Sequence, residues 1–408
     1  MWKKINIIQF MPYFPPHKWW LETHWEQWWI YWEKNNFWEV YNVISDFNQK
    51  GELEKNEKIM FENNIIWYKK NWIENLVVPS LEIINNFPVY KIWDKKYKII
   101  IKYLKEKNIN IIITRTRFFL TSLIGWLFAR SPHLTSPKGR GINGSIKWIH
   151  IEHWSDYVKL NSEFKNLIAK IYDKLIWKWI FKKADKIIWV SNTCKSFINK
   201  KFVNKEIEVI YRWLDLLKIE DKDFFKNKFK NKIIIWFVWR LFKWKNIETL
   251  IKAFYELDNT LKNKIQIVIV WDWEDFERLK KLDKENKIYF TWWKLFKEAL
   301  ELQNEFDIHF HTSSPGWWLA TTLIQAMALE KLIIATPYEW ASEVMKNWYN
   351  WILLKDDSLE EIKKWLEKWI KIFEEKKDIF WKNAKKVFEK EFNWNENILK
   401  YYKLFNER

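Results

Sequence analysis

The sequence predicts an α/β protein built on doubly wound parallel sheets, and three observations lead there. Short Ile-rich runs such as Asn108 to Thr114 (NINIIIT) and Ile265 to Val270 read as strands buried on both faces, as parallel sheets require. Amphipathic segments such as Ile247 to Leu257 alternate with them. The stretch Asp307 to Leu354 repeats the unit in full: a strand (Asp307 to His311), a turn-rich loop (Thr312 to Trp318), a helix (Leu319 to Leu329), a second strand (Leu332 to Ala335), then another loop and helix. A chain of 408 residues has material for two cores, hence two domains.

In such sheets ligands lie outside the carboxyl ends of the strands, where a loop entering a helix offers free N–H groups and a positive dipole end to a phosphate. The loop at Pro315 to Ala320 is placed for that role. The composition is anomalous in a related way. Ordinary usage of about 7% would give roughly 29 glycines in a chain of this length, yet the chain has Gly 6 and Trp 34. Trp stands where turns and phosphate loops need glycine: Trp19-Trp20, Trp236 and Trp239, Trp271 and Trp273, Trp348 and Trp351. Many of these residues are therefore expected to be glycine in the natural protein, written as Trp because a UGA codon that the source organism reads as glycine has been translated as Trp. Trp148, inside an apolar run, reads as a true Trp.

The formal net charge of +18 fits a nucleic-acid binder, an anionic membrane surface, or Lys-rich drift with an AT-rich genome. Lys far outnumbers Arg and no nucleic-acid module is recognisable, so nucleic acid is set aside. A single cysteine, Cys194, excludes an intramolecular disulfide and suits a reducing cytoplasm. The apolar run near the N-terminus is too short, and cut by Pro12, for a signal peptide, and no run reaches the roughly 18 residues of a membrane span.

Taken in order, Lys4 to Phe10 is the first strand, and the loop Met11 to Trp20 enters a helix near Leu21. Glu33 to Val78 alternates strands and turns. Asn108 to Thr114 precedes the helix Arg117 to Arg130, with Arg115 and Arg117 at the strand end as either phosphate or acceptor contacts or structural side chains. Ser131 to Ser145 is a Pro/Gly/Ser-rich basic loop. Lys147 to His153 alternates like a strand and ends in His153, a candidate for sugar contact or a core histidine, with His150 as its competitor. Phe181 to Val190 reads as helix then strand, Ile207 to Tyr211 as a short strand, and the charged run Glu220 to Lys232 as a linker. Ile233 to Asn246 opens the second domain, and Ser358 to Arg408 is helical, with Phe392, Tyr401, Tyr402 and Phe405 as a packing face.

Several of these segments resemble the retaining glycosyltransferases of family 4. Trp317 to Ala328 aligns with that family's Glu-Gly-hydrophobic-Pro-x-x-hydrophobic-hydrophobic-Glu-Ala-Met-Ala signature, with Trp317 and Gln325 at the places of its two glutamates. Trp239-Arg240-Leu241, then Lys245, then Leu250 to Phe254, resembles its Gly-Arg-Leu, Lys and Leu-hydrophobic-x-Ala-Phe series, the most specific match in the chain. Trp271 to Glu274 resembles its Gly-Asp-Gly-Glu, Trp19-Trp20 its Gly-Gly pair, His153-Trp154 its His-Gly, and Arg212 to Asp215 its Asn-Gly-hydrophobic-Asp turn.

The resemblance implies a GT-B architecture, two Rossmann-like doubly wound domains facing across a cleft. Residues 1–215 would form the acceptor side, 216–232 a linker, 233–385 the nucleotide-sugar domain, and 386–408 a helix packing back on the first domain. It implies sugar transfer with retention of configuration from a nucleotide sugar to a glycan, lipid-linked or small-molecule acceptor, without metal or cofactor, as in cell envelope polysaccharide synthesis; the lone cysteine points to the cytoplasm and the net charge to the inner face of an anionic membrane. His153, Arg240 and Lys245 would be catalytic. Trp19, Trp20, Trp317, Trp318, Leu319, Ala320, Gln325 and Glu343 would bind the donor. A non-catalytic or epimerase-like GT-B protein is the alternative, and a basic nucleic-acid-binding protein the remote one.

Overall fold

The computed structural model describes residues 5–406 except 15–27, 29–37, 47–58, 63–64, 71–72, 85–86, 131–145, 158–161, 206–207, 212–218, 220–222, 239–244, 272–275, 293–295, 313–320, 339–342, 344, 346–348 and 350. The chain divides into two units, Met1–Ile210 with Ile398–Arg408, and Tyr211–Asn397.

The first unit contains strands β1 (Ile5–Phe10), β2 (Trp38–Ser45), β3 (Ile59–Glu62), β4 (Ile65–Lys70), β5 (Ile73–Val78), a separate hairpin β6 (Ser80–Ile84) and β7 (Phe87–Tyr90), then β8 (Ile111–Arg115), β9 (Lys147–Glu152), β10 (Lys186–Trp189) and β11 (Glu208–Val209). All but the hairpin form one sheet in the order β11-β10-β9-β8-β1-β2-β5-β4-β3. Its pairs are parallel from β11 to β5 and antiparallel from β5 to β3. The helices are α1 (Lys95–Glu106), α2 (Leu120–Ala129), α3 (Glu163–Tyr172), a π-helical turn (Asp173–Trp177), α4 (Lys178–Lys183) and α5 (Asn192–Lys201). Asp94 caps α1 by accepting from the Lys96 N–H at 2.8 Å, and Ser191 caps α5 by accepting from Cys194 N–H at 3.0 Å. Helix α2 lies against β1 and β8 through Gly125, where a Cβ would meet Thr114 Cγ2 at 2.5 Å and Phe10 Cδ2 at 2.9 Å.

Within this Ile- and Val-rich sheet runs a buried polar ladder. Gln9 Nε2 donates to Asn42 Oδ1 at 2.9 Å, Asn42 Nδ2 to Asn75 Oδ1 at 2.9 Å, and Arg115 donates to Gln9 Oε1. The ladder crosses β8, β1, β2 and β5 in the paired register Gln9↔Asn42↔Asn75. A slip of one residue would turn every rung to the other face of the sheet, so the ladder specifies strand alignment.

The second unit holds α6 (Phe224–Lys228), β12 (Ile233–Val238), α7 (Ile247–Tyr255), α8 (Asn259–Lys264), β13 (Ile265–Trp271), α9 (Phe276–Leu282), β14 (Tyr289–Trp292), α10 (Phe296–Asn304), β15 (Ile308–His311), α11 (Thr321–Ala328), β16 (Leu332–Ala335), β17 (Ile352–Leu353) and the long α12 (Leu359–Glu391). Its sheet is parallel throughout, in the order β14-β13-β12-β15-β16-β17. The described part of the run read as linker is not extended. Phe225 in α6 is buried, its N–H donates to Glu305, and its ring meets Phe306 at 5.2 Å, because Phe225 and Phe229 recur at helical spacing within the charged run. Trp271, read as a turn residue, ends strand β13, and Trp292 ends β14.

Helix α13 (Trp394–Asn406) starts in the second unit and belongs to the first from Ile398 onward. There Trp28 packs edge-on against Tyr401 at 4.9 Å and Phe405 at 6.0 Å, and Lys147 Nζ donates to Leu404 O at 3.1 Å.

Replacing Asn42 by Val would leave Gln9 Nε2 and Asn75 Oδ1 buried and unmet, at about 1–3 kcal/mol for each group. The urea midpoint of Asn42→Val should fall accordingly, with the slope of the transition unchanged.

Candidate functional site

In an open parallel sheet the ligand crevice lies at the carboxyl edge where the strand order reverses. That point falls between β12 and β15 in the second unit. Lys245 sits there, just ahead of α7, and is 1% exposed. Asn246, with φ 53° in the left-handed region, turns the chain into α7 and donates through Nδ2 to Asp357 O at 2.9 Å. Thr312 follows β15 and donates through Oγ1 to Lys245 O at 2.7 Å. His309 and His311 alternate along β15, so their rings share a face, with centroids 5.8 Å apart. Burial first, and the Lys245 charge second, push both imidazoles below their ordinary range, His309 to about 3 and His311 well down as well. A buried ammonium beside two neutral imidazoles is an environment that favours an anion.

Arg240, Trp19, Trp20, Trp317, Trp318, Leu319 and Ala320 lie outside the described residues. Gln325 is buried on α11, where its Oε1 accepts from Gln303 Nε2 at 3.0 Å. Glu343 accepts from the Tyr211 hydroxyl through Oε1 at 2.5 Å. Trp236, on β12, is buried, stacks on Phe306 at 5.1 Å and lies tilted against His309 at 4.9 Å.

In the first unit the strand order reverses between β1 and β8. Thr116, just past β8, has φ 58°, a costly conformation for a β-branched residue, and its N–H donates to Ile151 O at 3.0 Å. On either side of it the two buried arginines go to different partners. Arg115 joins the ladder at Gln9 and lies over the Trp28 ring at 4.9 Å. Arg117 pairs with Asp173 Oδ2 at 3.1 Å and Glu152 Oε2 at 3.4 Å, so of the two readings open for this residue the structural one holds. Glu152 Oε1 in turn accepts from the N–H groups of His153 at 2.9 Å and Trp154 at 3.0 Å, which shapes the turn that carries the buried His153. His150 is the more enclosed of the two histidines, with Nδ1 at 2.9 Å from Thr114 Oγ1 and Nε2 at 3.4 Å from Glu152.

The two carboxyls of this cluster are driven apart. Burial alone would raise both. Around Glu152 the Arg117 charge and the hydrogen bonds from His150 and the backbone outweigh it and hold the group at about 2, whereas Asp173 goes up to about 6 despite Arg117. Asp173 opens the π-helical turn, a feature frequent at functional sites. Neither Asp173 nor Thr116 carries a sequence signal. His309 and His311 carried one, since polar rings at i and i+2 in an apolar strand share a face.

Comparison with known proteins places this geometry. Residues 218–387 match the family described as Glycosyl transferases group 1. The chain is 40% identical over 413 residues to an uncharacterized glycosyltransferase of Methanocaldococcus jannaschii, covering 99% of this chain and 98% of that one. Among solved structures, it is similar to a glycosyltransferase from Rickettsia africae (TM-score 0.71, 19% identity, 99% of this chain and 98% of that one). It is also similar to Anabaena HepE in complex with UDP (TM-score 0.68, 15% identity, 98% and 99%). Sucrose-phosphate synthase from Thermosynechococcus elongatus is a further likeness (TM-score 0.71, 13% identity, 99% and 98%). These structures share the GT-B fold of two Rossmann-like units.

Glu152→Gln removes the charge that balances buried Arg117 and should cost about 3–5 kcal/mol at neutral pH. The native group at about 2 lies below its ordinary 4.5, so its contribution is present above pH 4.5 and is lost as pH falls toward 2. Denaturant titrations across pH should show that acid limb flattened in the variant.

Proposed function

Because the chain belongs to the glycosyl transferases group 1 family, we propose that this glycosyltransferase moves a sugar from a nucleotide sugar to an acceptor hydroxyl with retention of configuration. The observation that carries the proposal is buried Lys245 beside neutral His309 and His311 at the β12–β15 reversal. As the glycosidic bond breaks, negative charge grows on the departing diphosphate, and a fixed ammonium in a dry site stabilises it without reorganisation. Arg240 is the second cation, and His153 contacts the transferred sugar. Trp19, Trp20, Trp317 to Ala320, Gln325 and Glu343 line the donor. The structures of HepE contain UDP and, in another case, UDP-glucose; we extend a nucleoside diphosphate sugar to this chain as donor class. Fixed cations do the work of a metal, so none is required. The acceptor is a sugar-bearing molecule met in the cytoplasm, in the building of an envelope polysaccharide.

The phosphate loops require glycine at many Trp positions. Support comes from the indoles. The buried N–H groups of Trp126, Trp189, Trp236 and Trp351 meet no acceptor, whereas Trp148 donates to Thr114 at 3.0 Å and Trp365 to Glu361 at 2.6 Å. A buried indole N–H normally finds a partner. We read the first group as glycine in the natural protein and the second as true Trp. A binding-only relative is the second reading, favoured by Trp317 and Gln325 at the signature's glutamate places and by the engagement of Gln325 with Gln303.

Two measurements test these readings. Tryptic peptides of the natively produced protein should carry Gly at 236, 239, 317 and 318 and Trp at 148; Trp at the first four would leave the loops unable to approach a diphosphate. A panel of nucleotide sugars should then yield turnover that persists in chelator and gives a product whose anomeric configuration, by NMR, matches the donor. Lys245→Ala should lower kcat/KM by about 10²–10³ with its thermal midpoint monitored alongside. Nucleotide-sugar binding without turnover would select the binding-only reading.

A further inference from the structure

Helix α3 (Glu163–Tyr172) is amphipathic but inverted, burying none of its residues. Phe164, Leu167, Ile168 and Ile171 recur at i, i+3, i+4 and i+7, and Leu175 in the π-helical turn continues the stripe. Their exposures are 70, 55, 51, 47 and 69%. The side turned inward carries Asn166, Ala169 and Tyr172, half-buried, with Tyr172 packed on the core and Asp173 held by Arg117. Lysines flank the stripe: Lys165 on one edge, Lys170 and Lys174 on the other, with Lys178 and Lys182 beyond. No Trp belongs to the stripe, so it stands however the Trp positions are read.

An exposed apolar stripe of this continuity marks an interaction surface. We propose that α3 and the turn after it seat the protein on an anionic lipid surface, the stripe entering the acyl boundary and the lysines meeting the headgroups. Charge complementarity selects this occupant. A second copy would bring lysine edges against lysine edges, because the only acidic residues of the segment are Glu163 at its start and buried Asp173. The inference goes beyond the transferase reading and does not depend on it, since it is tested by binding and not by turnover.

The test is co-sedimentation of the full chain with vesicles of phosphatidylglycerol and phosphatidylcholine in equal parts, and with phosphatidylcholine alone, at low and high salt. The expected result is binding to the anionic vesicles that weakens with salt and falls roughly tenfold or more in the triple variant Phe164→Ser, Ile168→Ser, Ile171→Ser. The exposed positions should leave the melting temperature of that variant unchanged. A second variant, Lys165→Gln with Lys170→Gln and Lys174→Gln, should lose the anionic preference while keeping the apolar stripe. Absence of binding to anionic vesicles, or equal binding by the triple variant, overturns the proposal. So does a concentration-dependent dimer that the serine substitutions abolish, or a lowered melting temperature showing that the stripe is covered by its own chain.

Discussion

The ion pair between Arg117 and Glu152 is the constraint on which the carboxyl edge of the first sheet depends. Neither charge is exposed, so each is tolerable only because the other, with Asp173, replaces the water it lost. Glu152 also takes the N–H groups of His153 and Trp154, so the turn holding the predicted sugar-contacting histidine is fastened by the same carboxylate. Arg117 reaches this pair because Thr116 adopts a left-handed conformation, strain that the surrounding bonds sustain. Asp173 must face inward to complete the cluster. Given helical geometry, that choice sets which side of α3 is turned away, and the apolar side is the one left out.

The second unit solves the corresponding problem with neutral partners. Lys245 is buried at the strand reversal beside imidazoles that burial first, and its own charge second, keep uncharged. In the first unit the buried arginines bond to carboxylates and amides, whereas here the buried cationic side chain lies beside imidazoles.

Much of this was legible in the sequence because parallel strands buried on both faces must be apolar, and Ile233 to Val238 or Ile111 to Ile113 leave no other reading. Lys245 was legible because its spacing from Arg240 and from Leu250 to Phe254 is a family pattern. What could not be read depends on contacts distant in the chain. Gln9, Asn42 and Asn75 look like single polar residues in strands, and only register shows that they bond to one another. Phe225 sits in a run so charged that its packing on Phe306 is hidden, and the conformation of Thr116 has no local signature. Gln325 reads as a donor ligand in the sequence, and the bond that Gln303, on another helix, makes to its oxygen is visible only in the fold.

The first unit is discontinuous in the chain, because Ile398–Arg408 belong to it. Tyr401 and Phe405 close over Trp28, and Trp28 underlies the guanidinium of Arg115. Synthesis is vectorial, so these aromatic rings leave the ribosome only after the whole second unit has been made. The half of the protein begun first is thus finished last. Until then its nascent sheet carries an uncovered tryptophan and a guanidinium without its full enclosure, a partly built state of the kind that holding chaperones protect.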